Sequence, residues 1–423
     1  MISLFASVIF FLGYLLITLE AKLKIHKSAI ALSMGGALWI LLGLFDPANV
    51  EANIVHTGSE IFSLIAFLLA AMSLVEIAAH YRLFDYIRER LSSLNISVAS
   101  QFCAILVITF LLSAVLDNLT TTIVMIQIAR KFFWKENLLV AAVGIVFAAN
   151  AGGAFSPIGD VTTIMLWLAE KFSARDIIVL GLLPSIASLL VVMGFLSRKL
   201  SREERVTAEV GQASVAISVS EKVVLSFVFA SFLLPVVVKA AHLPPALGIL
   251  LGLGLTWMAV DVFKRTAASE THLTATIEHL IQKADLGSIK FFIGILLAVS
   301  ALGSLGVLDS VSNVVYGQLP SDGRVIVGNI ALGMISSVLD NIPLTAIAIK
   351  ILDIADTQLW VLLALMVGIG GSLLALGSAA GVVAMGMVKE LTFEKYFKIA
   401  FAPALLGFLA CVAVWLVQHS LLS

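Results

Sequence analysis

Ser113-Ala114-Val115-Leu116-Asp117-Asn118 returns as Ser336-Ser337-Val338-Leu339-Asp340-Asn341, identical at five of six positions. Each copy interrupts a long apolar stretch, about 97–133 and about 325–353. An aspartate at membrane depth is costly unless it is solvated or paired. Each string therefore reads as the polar tip of a re-entrant hairpin that enters and leaves on one side. A second pair of motifs follows in the same order. Gly152-Gly153-Ala154-Phe155-Ser156-Pro157-Ile158-Gly159-Asp160 matches Gly370-Gly371-Ser372-Leu373-Leu374-Ala375-Leu376-Gly377-Ser378, 35 and 30 residues from aspartate to first glycine. Two matched motifs in order argue against chance and divide the chain into repeats at 1–200 and 223–423, joined by a linker at 201–222.

Composition sets the surroundings. Of 423 residues, 60% are apolar and 13% charged, with mean hydropathy +1.08. Soluble domains hold about 45–50% apolar and 25% charged residues. The excess cannot face water, so the chain is a polytopic membrane protein whose partner is the lipid bilayer. At about 20 apolar residues per crossing it accommodates on the order of ten to twelve spans. Full spans read at about 2–19, 28–45, 61–79, 138–168, 177–196, 223–239, 244–263, 288–308, 359–388 and 399–419. Continuous apolar runs, rather than ten-residue alternations, exclude a β-barrel. A net charge of −1 gives no footprint for nucleic acid. Cys103 and Cys411 lie inside apolar runs at no metal-ligand spacing. No basic region precedes the first run, so no cleavable signal peptide is expected.

Basic residues set the sidedness. With the N-terminus outside and both interrupted stretches folded as hairpins, 21 of the 26 Lys and Arg fall inside. Lys171, Arg175, Lys239, Arg324 and Lys350 fall outside. The first hairpin then enters from inside and the second from outside. The expected fold is all-α, with two inverted structural repeats. Each repeat carries a re-entrant helical hairpin and a broken transmembrane helix, at about 138–168 and about 359–388. Inverted repeats with helices interrupted at matching places are a signature of secondary transporters.

Asp117 and Asp340 are the leading functional candidates, with Asn118 and Asn341 beside them. Helix capping is the bland alternative, because Asp or Asn before Thr is a good N-cap. The two roles are compatible. In the first broken helix, Gly152, Gly153 and Gly159 are poor helix formers, and Pro157 lacks a backbone donor. Unwound backbone at this depth is tolerated where it is buried or lines a polar cavity. Its carbonyls suit a hard cation, and Ser156, Asp160, Thr162 and Thr163 add oxygens. Asn150 stands at the upstream edge of the break, and Thr121 just past the first tip. The second break offers Ser372 and Ser378 but no acid, and Ser336 opens the second tip. Asp117, Asp160 and Asp340 are expected around one midplane cavity, where cation and protons compete for the same oxygens. Glu76, four residues before His80, is either a coupling group or an interfacial acid. A phosphate-loop reading fails for want of a following Gly-Lys-Ser/Thr. The stretch 80–96 reads as an interfacial amphipathic helix.

Together the Leu-Asp-Asn hairpins and the Asn150–Thr163 stretch, with its Ser-Pro-Ile-Gly-Asp core, resemble the NhaD-type sodium/proton antiporters. These belong to the ion transporter superfamily, which also holds arsenite permeases and divalent-anion symporters. The resemblance covers most of the chain. It implies exchange of Na⁺ or Li⁺ for H⁺, with Asp117, Asp160 and Asp340 holding the cation and no resident cofactor. It implies a homodimer in a cytoplasmic (inner) membrane. Each protomer would pair a scaffold with a transport unit of hairpins, broken spans and last spans, moving as an elevator. The chain departs from symmetry at Ser378, which stands where an acid matching Asp160 would be. Two rivals differ in kind. An anion or arsenite permease should present neutral or positive groups and helix N-termini to its substrate. An intramembrane aspartyl protease would use a pair of aspartates, but an inverted repeat has no use there. A transporter, not an enzyme, is expected.

Overall fold

The computed structural model describes residues 2–93, 96–201, 218–266, 285–317 and 321–422. Residues 202–217 of the linker and the polar residues 267–284 lie outside those residues. All regular structure among the described residues is helical. Three helices open the chain: α1 (Ile2–Thr18), the single turn α2 (Glu20–Leu23) and α3 (Lys27–Phe45). They lead into α4 (Val50–His80) and α5 (Leu83–Ser93). The first interrupted stretch is α6 (Val98–Ser113) and α7 (Asn118–Ala129). The first broken helix is α8 (Lys135–Ala154) and α9 (Val161–Leu168), and α10 (Ala174–Ser197) closes the half. The second half runs α11 (Val219–Ala240), α12 (Pro245–Thr266), α13 (Leu286–Ser304) and the short α14 (Val307–Val315). Then come α15 (Asp322–Ile335) and α16 (Asn341–Ile351), the broken pair α17 (Thr357–Gly370) and α18 (Ala379–Met387), and α19 (Phe393–Leu422).

Among the described residues, eight helices are long and apolar enough to cross a membrane. Their outer faces carry Leu44, Phe62, Leu233 and Val237 exposed. In a bilayer that apolar exterior faces hydrocarbon. Two helices outrun the apolar runs that announce them. α4 begins at Val50 rather than near 61, and α19 at Phe393 rather than near 399. Polar first turns continue a helix when their charges are paired. Glu60 meets His56 and Lys350, and Glu394 meets Lys398 one turn on. At 31 residues α4 is about 46 Å long, well beyond ~30 Å of hydrocarbon. The interfacial helix expected at 80–96 is α5, which buries Leu83 and Leu91.

The most enclosed elements are the broken helices. Every residue of α8 from Leu139 to Ala154 is buried, and every residue of α17 from Leu359 to Gly370. They pack on each other, α6 packs on α8, and α15 packs on α17. Contacts made by one half have counterparts in the other: α3 with α13 and α4 with α12, α7 with α18 and α9 with α16. The two last helices, α10 and α19, pack together.

The glycines explain how closely the turns approach. A methyl on Gly152 would overlap the Phe110 carbonyl, and one on Gly370 the Gly333 carbonyl. A methyl on Gly159 would overlap the Ser113 carbonyl, and one on Gly377 the Ser336 carbonyl. In both halves the arm before the Asp-Asn tip thus lies directly on its own broken helix. Serines lock the contact. Ser113 Oγ donates to the Ala149 carbonyl at 2.6 Å, and Ser336 Oγ to the Val367 carbonyl at 2.8 Å.

Candidate cation site

Four short helices begin at the interruptions. Three of them are capped by the singled-out acids. Asp117 Oδ1 accepts from the Thr120 amide at 2.8 Å, Asp160 Oδ1 from the Thr162 amide at 3.2 Å, and Asp340 Oδ1 from the Ile342 amide at 3.1 Å. A helix N-terminus carries partial positive charge, so each carboxylate is favoured where it stands. The fourth helix, α18, starts at Ser378, whose hydroxyl makes no cap bond.

Capping uses one oxygen of each acid, and the second oxygens of Asp160 and Asp340 face different partners. Asp160 Oδ2 accepts from Asn118 Nδ2 at 3.3 Å. The Asn118 amide also donates to Asn150 Oδ1 at 3.0 Å. Asn150 Nδ2 in turn donates to Ser372 Oγ at 2.8 Å and Ser378 Oγ at 3.0 Å. This chain of amides and hydroxyls joins the first hairpin tip to both breaks. Asp160, Asn118, Asn150, Ser372 and Ser378 are all buried. The hydroxyls of Thr121, Thr122 and Thr162 are buried with no hydrogen-bond partner among the described residues.

Asp340 departs from the expected single cavity. Its Oδ2 lies 3.7 Å from Lys27 Nζ on α3, and its amide donates to the Tyr14 hydroxyl at 3.1 Å. Among the described residues no three His, Cys, Asp or Glu side chains gather as a metal-binding group. The three acids therefore do not converge on one point in this conformation. Asp117 and Asp340 both act electrostatically on Asp160, and only Asp160 belongs to the amide network. The reason is chain geometry: each acid is tied to the first turn of its own helix.

Other expected ligands are partly committed elsewhere. Ser156 Oγ donates to the Ala114 carbonyl, Thr163 Oγ1 to the Asp160 carbonyl at 2.8 Å, and Ser336 as described above. Each holds the turn together and keeps a lone pair. Asn341 is buried at the head of α16, where Thr345 Oγ1 donates to its carbonyl at 2.9 Å. Glu76 is half-buried on the last turns of α4. Sequence reasoning missed Lys27 and Tyr14. Lys27 counted only as an inside charge, and Tyr14 read as part of an apolar span.

A separate cleft of about 390 Å³ lies between α4, α9, the α11–α12 turn, α13 and α16. Two ion pairs cross it, Lys239 with Glu170, and Lys350 with Glu60 at 3.1 Å. The Lys239 ammonium holds Glu170 below the usual carboxylate range. Lys239 and Lys350 both belong to the minority of basic residues expected outside.

The chain is similar in sequence to known transporters. A family profile described as "Citrate transporter" matches residues 14–368. "Sodium/proton antiporter 1" of Arabidopsis thaliana is 34% identical, over 98% of this chain and 72% of its own length. "Sodium/proton antiporter 2" of the same plant is 33% identical, over 98% and 99%. "Na(+)/H(+) antiporter NhaD" of Alkalimonas amylolytica is 32% identical, over 96% and 89%. The chain belongs to the ion transporter superfamily, in the NhaD group. Membership fits the eight membrane-length helices, so the chain is an integral membrane protein. The ion transporter family and these relatives carry the names of transporters, not enzymes.

Proposed function

We propose that this chain is a secondary antiporter exchanging Na⁺ or Li⁺ for H⁺, with Asp117, Asp160 and Asp340 as its exchangeable carboxylates. The observation that carries the reading is Asp160. It is a buried acid whose carboxylate accepts from two amides, the Thr162 N–H and the Asn118 side chain, at the meeting of the two unwound helices. Na⁺ takes oxygen ligands, and the Thr121 and Thr162 hydroxyls together with the carbonyls of the breaks supply them around that acid. Without a cation, a carboxylate buried like Asp160 is neutralised by a proton instead. Either occupant satisfies the site and both cannot, which is the condition for antiport. Asp117 and Asp340 flank the acid from the two hairpin tips.

Around that site we read two inverted repeats, with the hairpins entering from opposite sides. The transport unit would hold both hairpins, both broken helices, α10 and α19. It would move against α1, α3, α4, α11, α12 and α13. The assembly proposed is a homodimer in a bacterial cytoplasmic membrane.

The family's citrate label suggests a second reading, anion transport. The cluster speaks against it. An anion needs open helix N-termini or cationic groups, but Asp117, Asp160 and Asp340 already cap three of the four N-termini, and Lys27, the ammonium at the edge, is matched by Asp340. The discriminating experiment is purified protein in proteoliposomes with a pH dye. A Na⁺ gradient is expected to drive proton movement, and labelled citrate to show no uptake. Citrate accumulation without Na⁺-driven proton movement would overturn the proposal.

A further inference from the structure

The antiport reading assigns no task to Lys27, yet the structure builds a seat for it. Lys27 is the first residue of α3, and its amide donates to Glu20 Oε1 at 2.9 Å. The next residue, Ser28, donates its hydroxyl to the Gly287 carbonyl at 2.7 Å, fastening this helix end to α13. Gly35 and Gly294 let the two helices touch backbone to backbone further along. From that fixed base the Lys27 ammonium lies 4.5 Å over the Phe291 ring, which is buried. It ends 3.7 Å from Asp340 Oδ2, the oxygen that does not cap α16.

A lysine held by its stem and an aromatic face, aimed at the free oxygen of a hairpin-tip carboxylate, does what a small bound cation would do. At 3.7 Å the contact is an ion pair rather than a hydrogen bond, and both groups are partly exposed. Such a pair exchanges readily for another cation. It also joins two parts of the fold, because Lys27 belongs to α3 and Asp340 to the turn between α15 and α16.

We propose that Lys27 is a positioning and specificity-determining residue of the exchange: a tethered cation that occupies Asp340 until Na⁺ displaces it. Displacement has two consequences. Na⁺ competes with Lys27, so the lysine lowers apparent Na⁺ affinity. Release of Lys27 also frees the second hairpin tip from α3, so cation binding unlocks the movement that carries it. The tie left from α1 is the Tyr14 hydroxyl, which accepts from the Asp340 amide, a single neutral hydrogen bond that breaks in the same movement.

This inference rests on the antiport reading, and the test separates the two. Na⁺-driven proton flux is measured in proteoliposomes over a Na⁺ series at one fixed pH, for wild type, Lys27→Met, Lys27→Gln and Lys27→Arg. The same proteins in detergent are titrated with Na⁺ and followed by thermal unfolding, which reads binding without transport. Losing this partly exposed ion pair is expected to lower the apparent KM for Na⁺ roughly fivefold in Lys27→Met and Lys27→Gln. The Na⁺ midpoint in the unfolding titration should fall by the same factor. Lys27→Arg keeps the charge and holds both at or above the wild-type value. An unchanged or raised KM in both neutral variants would overturn the inference, as would an equal fall in Lys27→Arg. Absence of Na⁺-driven flux in the wild type would instead remove the antiport reading itself.

Discussion

Alanine at position 150 removes a side chain that reaches the first hairpin tip and the second break at once. Its amide bonds to Asn118 at 3.0 Å, Ser372 at 2.8 Å and Ser378 at 3.0 Å. Interhelical hydrogen bonds inside membrane proteins are worth on average about 0.6 kcal/mol each, so three supply about 2 kcal/mol. The partners left behind are buried, and each polar group stranded there adds on the order of 1 kcal/mol. The expected destabilisation by Asn150→Ala is therefore about 3 to 5 kcal/mol. Ser378→Ala, which takes that hydroxyl's contacts with the Asn150 amide (Nδ2 at 3.0 Å, Oδ1 at 3.2 Å), should cost about 1 kcal/mol. The double variant should fall short of the sum, because the two side chains share a bond. The assay is equilibrium unfolding in mixed micelles followed by tryptophan fluorescence. If Asn150→Ala unfolds within about 0.5 kcal/mol of wild type, the amide network does not hold the two breaks together.

Three further outcomes are expected. Gly159→Ala and Gly377→Ala each drive a methyl into a serine carbonyl, and each should destabilise by about 1 to 3 kcal/mol in the same assay; Gly36→Ala, where open space surrounds the glycine, should not. Because protons and Na⁺ compete for the same carboxylates, apparent Na⁺ affinity in proteoliposomes should rise with pH, by up to about tenfold per unit where one proton competes; a pH-independent affinity would contradict a shared site. Cysteines placed at Lys131 and Lys350 should label from the inside and the outside respectively, and external labelling at 131 would remove the re-entrant reading of α6 and α7.

Much of the layout was legible because each feature leaves a local mark. The paired Leu-Asp-Asn strings give the turns between α6 and α7 and between α15 and α16. The glycine runs give the breaks after α8 and α17. Asn150 stood out as an amide in an apolar run, and the structure makes it the centre of a network. What stayed hidden depends on contacts between distant segments. Nothing near Lys27 in sequence announces Asp340 as its partner, and Tyr14 looks like any aromatic in a span. How far the three carboxylates gather is not legible either, since a place in an apolar run does not say which way a side chain faces. Helix ends were misjudged where charges are paired rather than absent, as at Glu60 and Glu394.

The account turns on buried carboxylates that carry Na⁺ in one direction and protons in the other. The most direct test is Na⁺-driven proton flux in proteoliposomes holding Asp160→Asn or Asp340→Asn, beside wild type, at matched protein density. Both substitutions preserve shape and remove the charge. Robust flux is expected in the wild type, none in Asp340→Asn, and in Asp160→Asn either none or a clearly raised KM for Na⁺, with all three proteins inserted and folded. Wild-type flux and Na⁺ affinity in both variants would contradict it.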